Sequence, residues 1–250
     1  MKKLWVRWIV LVVFVALLGA VFVRLGEWQL HRLEARRERN AIVVANQALP
    51  VQPWDQVFHH PIAEGDQWQR VTVTGTYLPE HQLEVRYRNV GGSQGSEWVL
   101  PLRTSDGRLV LVDRGFTSRG NGEVARPAAA PAGQVTVTGF VRRNEQGKAN
   151  ATTPMQGSVR LINAPAISAA IGQQLVDGYI QAISSTPADP GLTPVGTPEL
   201  DEGPHLSYAI QWFLFTVIAA GGVLILVRAD LRERRRKRAR AAQLNAARQA

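Results

Sequence analysis

The sequence predicts a membrane protein of the α+β class, in which two transmembrane helices flank one extracytoplasmic, mainly antiparallel β domain. Apolar stretches lie near both ends of the chain, at 8–23 and 206–227. Between them, from residue 69 onward, apolar and polar residues alternate with the period of a β-strand. With 250 residues, the chain has room for one medium-sized outer domain besides its membrane segments.

The first apolar stretch predicts an N-terminal transmembrane helix within residues 1–25. Three basic residues precede the stretch, and Arg24 ends it. A cleavable signal peptide has the same general outline, but the small-residue cleavage site is poorly matched here. Because the apolar run continues to Val23, a retained anchor is favoured over a cleaved signal peptide.

The second apolar stretch predicts a transmembrane helix over residues 205–227. Its uncharged part would span roughly 33 Å, which is enough to cross a hydrocarbon layer about 30 Å thick. Helical spacing places His205, Tyr208, Trp212 and Phe215 on one face. This face carries an imidazole at the membrane edge and aromatic rings inside the bilayer, and it is the first functional candidate.

The charge distribution predicts the orientation of the chain. Residues 1–39 carry eight Lys and Arg against three acids, 40–205 carry twelve against fifteen, and 206–250 carry nine against two. The basic tail at 228–250 predicts a multi-pass protein of the cell membrane with both termini cytoplasmic and residues 26–204 outside. We interpret the tail as a topology determinant that lies on the lipid bilayer.

Composition also excludes several classes of function. The mildly acidic middle of the chain lacks the basic face that nucleic-acid binding requires, so no nucleic acid is expected as a partner. The chain contains no cysteine. Disulfides, thiol catalysis and cysteine-ligated metal sites are therefore excluded.

The outer domain is expected to begin with a helix and to continue as β-strands. Residues 26–46 predict that the first helix continues out of the membrane, until Pro50 and Pro53 end it. Asn163 is the predicted cap of a short helix that reaches residue 171. Because exposed strand edges invite aggregation, we expect a closed or nearly closed sheet. Alternation predicts strands at 69–76, 82–89, 97–103, 108–116, 134–141, 159–162 and 178–183.

Motifs for catalysis or metal binding lack the context that they need, and we do not expect an enzyme. Gly91-Gly-Ser-Gln-Gly95 matches the G-x-S-x-G pattern of a nucleophile elbow, but the strands predicted on both sides favour a hairpin loop. His59-His60 has no third ligand nearby in sequence, which favours a surface pair over a metal site. Asp113-Arg114 either forms a solvated turn at a strand end or presents the arginine to a carboxylate of a ligand or partner.

Four stretches of the chain carry a resemblance to a known family. They are Gly26-Glu-Trp-Gln-Leu-His-Arg-Leu33, Gly95-Ser-Glu-Trp-Val-Leu-Pro-Leu102, Val112-Asp-Arg-Gly-Phe116 and His205-Leu-Ser-Tyr-Ala-Ile-Gln-Trp-Phe213. These stretches resemble the surfeit-locus-one family of cytochrome c oxidase assembly factors, and they occur in the family's order, within its architecture of two membrane helices around one outer domain. The chain departs from the family's usual pattern at Ala35-Arg36, where Trp-Lys is common, and at Asp113, where Asn is common.

The resemblance implies a role in oxidase biogenesis, with a cytochrome c oxidase subunit as the partner and haem a as the cofactor. His205 is the residue that matches the candidate haem ligand. Haem a is a planar apolar ring with two carboxylates, so its site needs an imidazole for the iron, an apolar groove in the membrane and cations at the water boundary. The alternative is a structural scaffold that holds an oxidase subunit without binding haem.

We therefore expect a haem site at the outer membrane boundary. His205 is predicted to bind the iron, with Tyr208 and Trp212 against the ring. Arg32, near the outer end of the other span, is expected to pair with a propionate, since both lie within about two helical turns of their membrane edge.

Two further residues of the first helix complete the expected site. Trp28 shares a helix face with Arg32 and is a candidate contact of the ring, although a tryptophan at this depth is typical of an interface anchor. His31 is considered as a second axial ligand on its depth alone, because it occupies a variable position of the family's motif.

Overall fold

The computed structural model describes residues 2–120 and 126–249, with side chains for 5–120 and 126–243. It divides into two compact units, of which one joins Met1–Arg39 to Leu200–Ala250 and the other is Asn40–Glu199. The helices are α1 (Lys2–Ala48), α2 (Ala149–Thr152), α3 (Ala164–Ile171) and α4 (His205–Gln249). The strands are β1 (Gln52–Pro53), β2 (Arg70–Tyr77), β3 (Leu83–Val90), β4 (Ser93–Thr104), β5 (Leu109–Ser118), β6 (Gln134–Arg142), β7 (Ser158–Val159) and β8 (Leu175–Thr186).

Helices α1 and α4 are long and apolar enough, by length and composition, to cross a membrane. Helix α1 is continuous over 47 residues, so the predicted continuation of the first span beyond residue 26 is confirmed. It ends at Ala48 because Leu49 precedes Pro50, and a residue before proline is pushed out of the helical region. Helix α4 begins at His205, directly after Pro204.

Helices α1 and α4 pack in an antiparallel pair. A Cβ on Gly26 of α1 would lie 2.7 Å from the ring of Phe213 on α4, so only glycine allows this approach. Phe22, one turn earlier on α1, packs against Trp212 with ring centroids 5.5 Å apart. Small residues let apolar helices approach closely, and Gly26 serves that purpose at this crossing.

The strands of Asn40–Glu199 form one mixed sheet, so the expectation of a mainly antiparallel domain is wrong. Strand pairs β1–β2, β3–β7 and β5–β8 are parallel, whereas β2–β4, β2–β6, β3–β4, β4–β5 and β6–β8 are antiparallel. A parallel pair needs a long connection, and the one between β5 and β8 contains β6, β7, α2 and α3. Alternation identifies the buried face of a strand but carries no information about the direction of its partner.

The sheet closes on itself through five strands. Pairing runs from β2 through β6, β8, β5 and β4, and β4 pairs again with β2. This closure agrees with the expectation of a closed or nearly closed sheet. Strands β1, β3 and β7 flank the closed part, and β7 contributes only two residues.

Two apolar clusters cover the two faces of the central strands. Val110 and Val112 of β5 are fully buried in one cluster, whereas Leu111 lies in the other, together with Ile167 of α3. Because both faces are covered, residues 109–112 read as a continuous apolar run rather than as an alternating one.

Two local predictions are confirmed. The side-chain oxygen of Asn163 accepts a hydrogen bond of 3.0 Å from the N–H of Ala166, and Asn163 is thus the N-cap of α3. Gly91 and Gly92 form the turn between β3 and β4 with φ values of 58° and 82°, which a two-residue hairpin requires. A strand follows this turn instead of a helix, so the G-x-S-x-G match is a hairpin.

Candidate functional site

His205, the first residue of α4, is held by a residue of α1. Its Nδ1 lies 2.8 Å from Oε1 of Gln29, and the imidazole is half-buried. An amide oxygen only accepts hydrogen bonds, so this contact assigns the proton of the neutral ring to Nδ1. Nε2 then carries the lone pair, and the ring is oriented as metal-binding imidazoles usually are.

The Nε2 side of His205 is bordered by a glycine. A Cβ built on Gly203 would lie 3.6 Å from Nε2, and the φ value of 69° at Gly203 also favours glycine. A side chain at this position would contact the edge of the imidazole that the hydrogen bond to Gln29 does not use. Glycine at position 203 leaves that space beside Nε2 unfilled.

Aromatic rings lie further along the same two helices. Phe22 of α1, Trp212 and Phe215 form a triangle with ring centroids 5.5 to 5.9 Å apart. Tyr208, one turn after His205, is 47 % exposed. The expected aromatic face of α4 thus continues across the helix contact through Phe22, which the sequence did not assign to the site.

The candidate residues of α1 have different directions around its axis. At 100° per residue, Arg32 lies about 60°, Trp28 about 100° and His31 about 160° from Gln29, all in the same direction around the helix. Arg32 and Trp28 are exposed, Trp28 by 54 %. Of these residues, Arg32 therefore lies nearest to the side of α1 that holds His205, and His31 lies nearly opposite to it.

A bidentate ion pair joins the chain around the candidate site. The guanidinium of Arg37 donates two hydrogen bonds of 2.8 Å to the carboxylate of Glu202. The hydrogen bond and charge of Glu202 raise the pKa of Arg37, and Arg37 lowers the pKa of Glu202. This pair lies two turns beyond Gln29 on α1 and three residues before His205. It joins α1 to the segment that contains Gly203.

Gln29, Gly203 and the Arg37–Glu202 pair are site residues that sequence reasoning missed. Gln29 lies 176 residues from its partner, so no local spacing could have connected them. The available signal was a polar side chain on the face of α1 that also carries Phe22 and Gly26. A glutamine on the contact face of an apolar helix usually has a buried polar partner.

The larger cavities of the helix pair lie at its other end. One of about 400 Å³ is lined by Trp8, Val12, Val227 and their neighbours, and another of about 740 Å³ lies on the other side of Trp8. There Trp8 Nε1 donates a hydrogen bond of 3.2 Å to Asp230. A planar ligand at His205 would consequently lie on the surface of the helix pair rather than in these cavities.

In the β domain, the structure contradicts both interpretations of Asp113-Arg114. The pair lies inside β5, and the side chain of Arg114 is fully buried. Its guanidinium donates two hydrogen bonds of 2.6 Å to Asp189 and one of 2.9 Å to Gln82. The arginine does meet a carboxylate, but one that belongs to the same chain. Arg114 is therefore a structural residue that holds the segment around Asp189.

Asp113 belongs to a second buried polar group. It is 1 % exposed, and its carboxylate accepts a hydrogen bond of 3.1 Å from the N–H of Gly115. Burial, and next the charge of Glu97, hold the pKa of Asp113 well above its usual range. Burial also raises the pKa of Glu97, although Arg88 lies 2.9 Å away.

The groups at the paired ends of α1 and α4 are of the types that bind a haem. They offer an imidazole whose Nε2 is open, apolar rings along the adjoining helix faces, and an exposed cation, Arg32, one turn from Gln29. The arrangement can bind the iron of a planar apolar ring and pair with a carboxylate at its edge. The chemistry available here is ligand binding.

The fold and the site define a class of protein in which two potential membrane-crossing helices bracket a mixed β domain. Residues 16–217 match the model of the SURF1 family, and the chain belongs to that family. The resemblance found in the four sequence stretches is thereby confirmed. Membership implies a role in cytochrome c oxidase assembly, and members are assembly factors rather than known enzymes.

Relatives extend across distant organisms. An uncharacterized SURF1-like protein of Mycobacterium tuberculosis is 34 % identical over 239 residues, which cover 93 % of this chain and 88 % of the relative. A SURF1-like protein of Monosiga brevicollis is 29 % identical over 216 residues, 78 % of each chain. One of Rickettsia conorii is 26 % identical over 200 residues, covering 77 % of this chain and 81 % of the relative.

Proposed function

We propose that this chain binds haem a at the outer membrane boundary and hands it over during cytochrome c oxidase assembly. The observation that carries the proposal is the hydrogen bond between Gln29 and His205. An imidazole fixed through Nδ1, with Nε2 left open beside Gly203, has the arrangement of a metal ligand. Bound haem would supply a Lewis-acidic iron to this nitrogen and two carboxylates to nearby cations.

The surrounding residues would act by binding and orientation. Tyr208 and Trp212 lie on the helix face that starts at His205 and would contact the ring. Arg32 would pair with a propionate, and Trp28 would contact the ring edge from the same side of α1. The position of Tyr208 and Trp28 on the surface suits a ligand that must leave again, because an enclosed cavity would slow its release.

The membrane arrangement is part of the same proposal. Residues 1–25 and 205–227 cross the cell membrane, 26–204 lie outside, and the basic tail 228–250 lies on the cytoplasmic surface of the bilayer. A reporter that works only in the cytoplasm should be active after Ala250 and inactive near Gly133. Activity near Gly133 but not after Ala250 would show the opposite orientation. Activity at both positions would show that one of the two predicted spans does not cross the membrane.

The test of haem binding is an absorption spectrum of the full chain purified from cells that make haem a. We expect the wild-type protein to carry haem and His205→Ala to lose most of it without unfolding, while Arg32→Ala loses less. His31→Ala is the matched control, because His31 has a similar depth but lies on the far side of α1. Equal haem content in wild type and His205→Ala would overturn the proposal.

The second candidate is a scaffold that holds an oxidase subunit without haem. It is favoured by the position of the larger cavities, which lie near Trp8 and Asp230 rather than near His205. Under this alternative, the purified chain carries no haem but co-purifies with an oxidase subunit. His205→Ala would then leave that association unchanged.

A further inference from the structure

Tyr87 of β3 combines a strained backbone with an exposed ring. Its φ value is 63°, a region that bulky residues rarely adopt, and the residue is 69 % exposed. It lies in a β-bulge, where the register between β3 and β4 shifts between Val85 and Arg88. Such a conformation is energetically unfavourable and persists where the surroundings impose it, often at functional sites.

Several arginine residues lie close to Tyr87. The guanidinium carbon of Arg160 lies 5.3 Å from the ring centroid, which is a cation–π distance. Arg86 and Arg88 are its neighbours on the strand, and Arg88 is held by Glu97 at 2.9 Å and by a second glutamate. The ring of Tyr87 is thus exposed, whereas the side chain of the next residue, Arg88, is held by two ion pairs.

A small cavity adjoins the ring. Its volume is about 160 Å³, and its lining includes two arginines, Arg88 and Arg119, and two residues with side-chain amides, Asn89 and Gln94. Within the described ranges, the side chain of Arg119 meets no carboxylate. Because Arg88 is already paired with two glutamates, a carboxylate in this cavity would meet the cation of Arg119 and the two amides, and a carboxylate accepts several hydrogen bonds at once.

The local charge differs from that of the domain as a whole. Residues 40–199 carry twelve basic and thirteen acidic side chains and are nearly neutral. Four of the twelve basic residues nevertheless contact Tyr87, adjoin it on β3 or line the cavity beside it: Arg160, Arg86, Arg88 and Arg119. Among residues 2–120 and 126–249, the nearby acids pair with Arg86 and Arg88, and no carboxylate pairs with Arg119 or Arg160.

We infer that Tyr87 and the adjoining cavity form a docking site for an acidic segment of a partner protein. A carboxylate side chain of that segment enters the cavity beside Arg119, and the segment packs on the ring of Tyr87. The cavity is smaller than the usual range of small-molecule sites, roughly 300–1,000 Å³, but it accommodates one side chain. Exposed tyrosine and arginine are also the residue types that dominate binding energy at protein interfaces.

The experiment places a photo-crosslinking phenylalanine at position 87 of the full chain in its native membranes. We expect one discrete crosslinked product with a second protein, in which the attached peptide carries an Asp or Glu within a few residues of the crosslink. The same probe at Val51, which is also exposed on this domain, is the positional control and should not give that product.

Charge reversal tests the cavity. Arg119→Glu should lower the yield of the product about tenfold, whereas Arg103→Glu, an exposed arginine on β4, should leave it unchanged. Tyr87→Gly should keep or raise the melting temperature, because glycine adopts the positive φ readily, yet it should abolish crosslinking from a probe at Arg86.

Three results would overturn the inference: a yield unaffected by Arg119→Glu, a product with lipid or with another copy of the chain alone, or the absence of any product. The inference does not depend on haem, since His205→Ala should leave crosslinking at position 87 unchanged. Haem content and crosslinking yield thus test the two proposals separately.

Discussion

Gln29 on α1 and His205 on α4 share a hydrogen bond of 2.8 Å, although 176 residues separate them in the chain. The bond forms where α4 begins, so it fixes both the direction of the imidazole and the position of the helix start against α1. One polar contact therefore links the packing of the two helices to the chemistry of the candidate ligand.

Replacing Gln29 should weaken haem binding even though the candidate ligand, His205, is still present in the chain. Gln29→Leu removes the acceptor for Nδ1, and losing such a partner of a metal-binding histidine typically costs about 10–100-fold in affinity. Haem titration followed by absorption would measure this change. Ser207→Ala, in the first turn of α4, is the control and should bind haem as the wild type does. A normal affinity of Gln29→Leu would show that the hydrogen bond only packs the helices.

The buried pair Arg114–Asp189 should contribute strongly to stability. Asp189→Asn leaves the buried guanidinium without a counter-charge, which costs about 3–5 kcal/mol. The exposed pair Arg108–Asp106 is the matched control, and Asp106→Asn should cost only about 0–1 kcal/mol. Denaturant unfolding of both variants measures the difference. Equal effects would mean that burial does not determine the contribution of the pair.

The pH dependence of stability should reflect Asp113 and Glu97. Because burial raises the pKa of both carboxyls, the folded chain retains protons that the unfolded chain has already released. The stability that these groups contribute is thus present below their unfolded pKa values, near pH 4, and is lost as pH rises through the folded values.

Asp113→Asn should remove much of this dependence. The asparagine oxygen can still accept the hydrogen bond from Gly115, and the variant has no charge to bury. We expect its melting temperature at pH 8 to exceed that of the wild type by a few degrees, with about 2–4 °C for each kcal/mol. Thermal unfolding at pH 5 and pH 8 would measure this. An unchanged pH dependence in Asp113→Asn would point to other groups.

Close backbone approach should make Gly75 intolerant of substitution. A Cβ at Gly75 of β2 would lie only 2.4 Å from the carbonyl oxygen of Arg103 on β4, which cannot move without opening the ring of strands. Gly75→Ala should therefore cost about 1–3 kcal/mol. Gly65→Ala meets nothing within 4 Å and should be tolerated. Similar melting temperatures for the two variants would contradict this account of the closure.

The sequence predicts local features of this protein better than distant ones. Three local features follow from neighbouring residues, and all are observed. They are the cap at Asn163, the hairpin at Gly91 and Gly92, and the continuation of α1 until shortly before Pro50. The parallel pairing of β5 with β8 depends on how a long connection packs, which alternation does not encode.

The same limit applies to the candidate site. His205 and the aromatic residues after it were recognisable from their spacing on one helix. Gln29, by contrast, contacts His205 only because the two helices pack together. The carboxylate that binds Arg114 belongs to Asp189, in a loop 75 residues away. Tertiary packing determines both of these pairs. The sequence around Gln29 or Arg114 therefore does not indicate which residue the side chain will contact.

Polar contacts at both ends of the α1–α4 pair would determine how the two helices respond to a bilayer that they cross. Trp8 with Asp230 and Gln29 with His205 lie about 32 Å apart along α1, close to the thickness of a hydrocarbon layer. Sliding one helix past the other would break both contacts together. A thinner bilayer would therefore have to be met by tilting the pair as one body, and hydrophobic mismatch would change the depth of His205 and Gln29 equally.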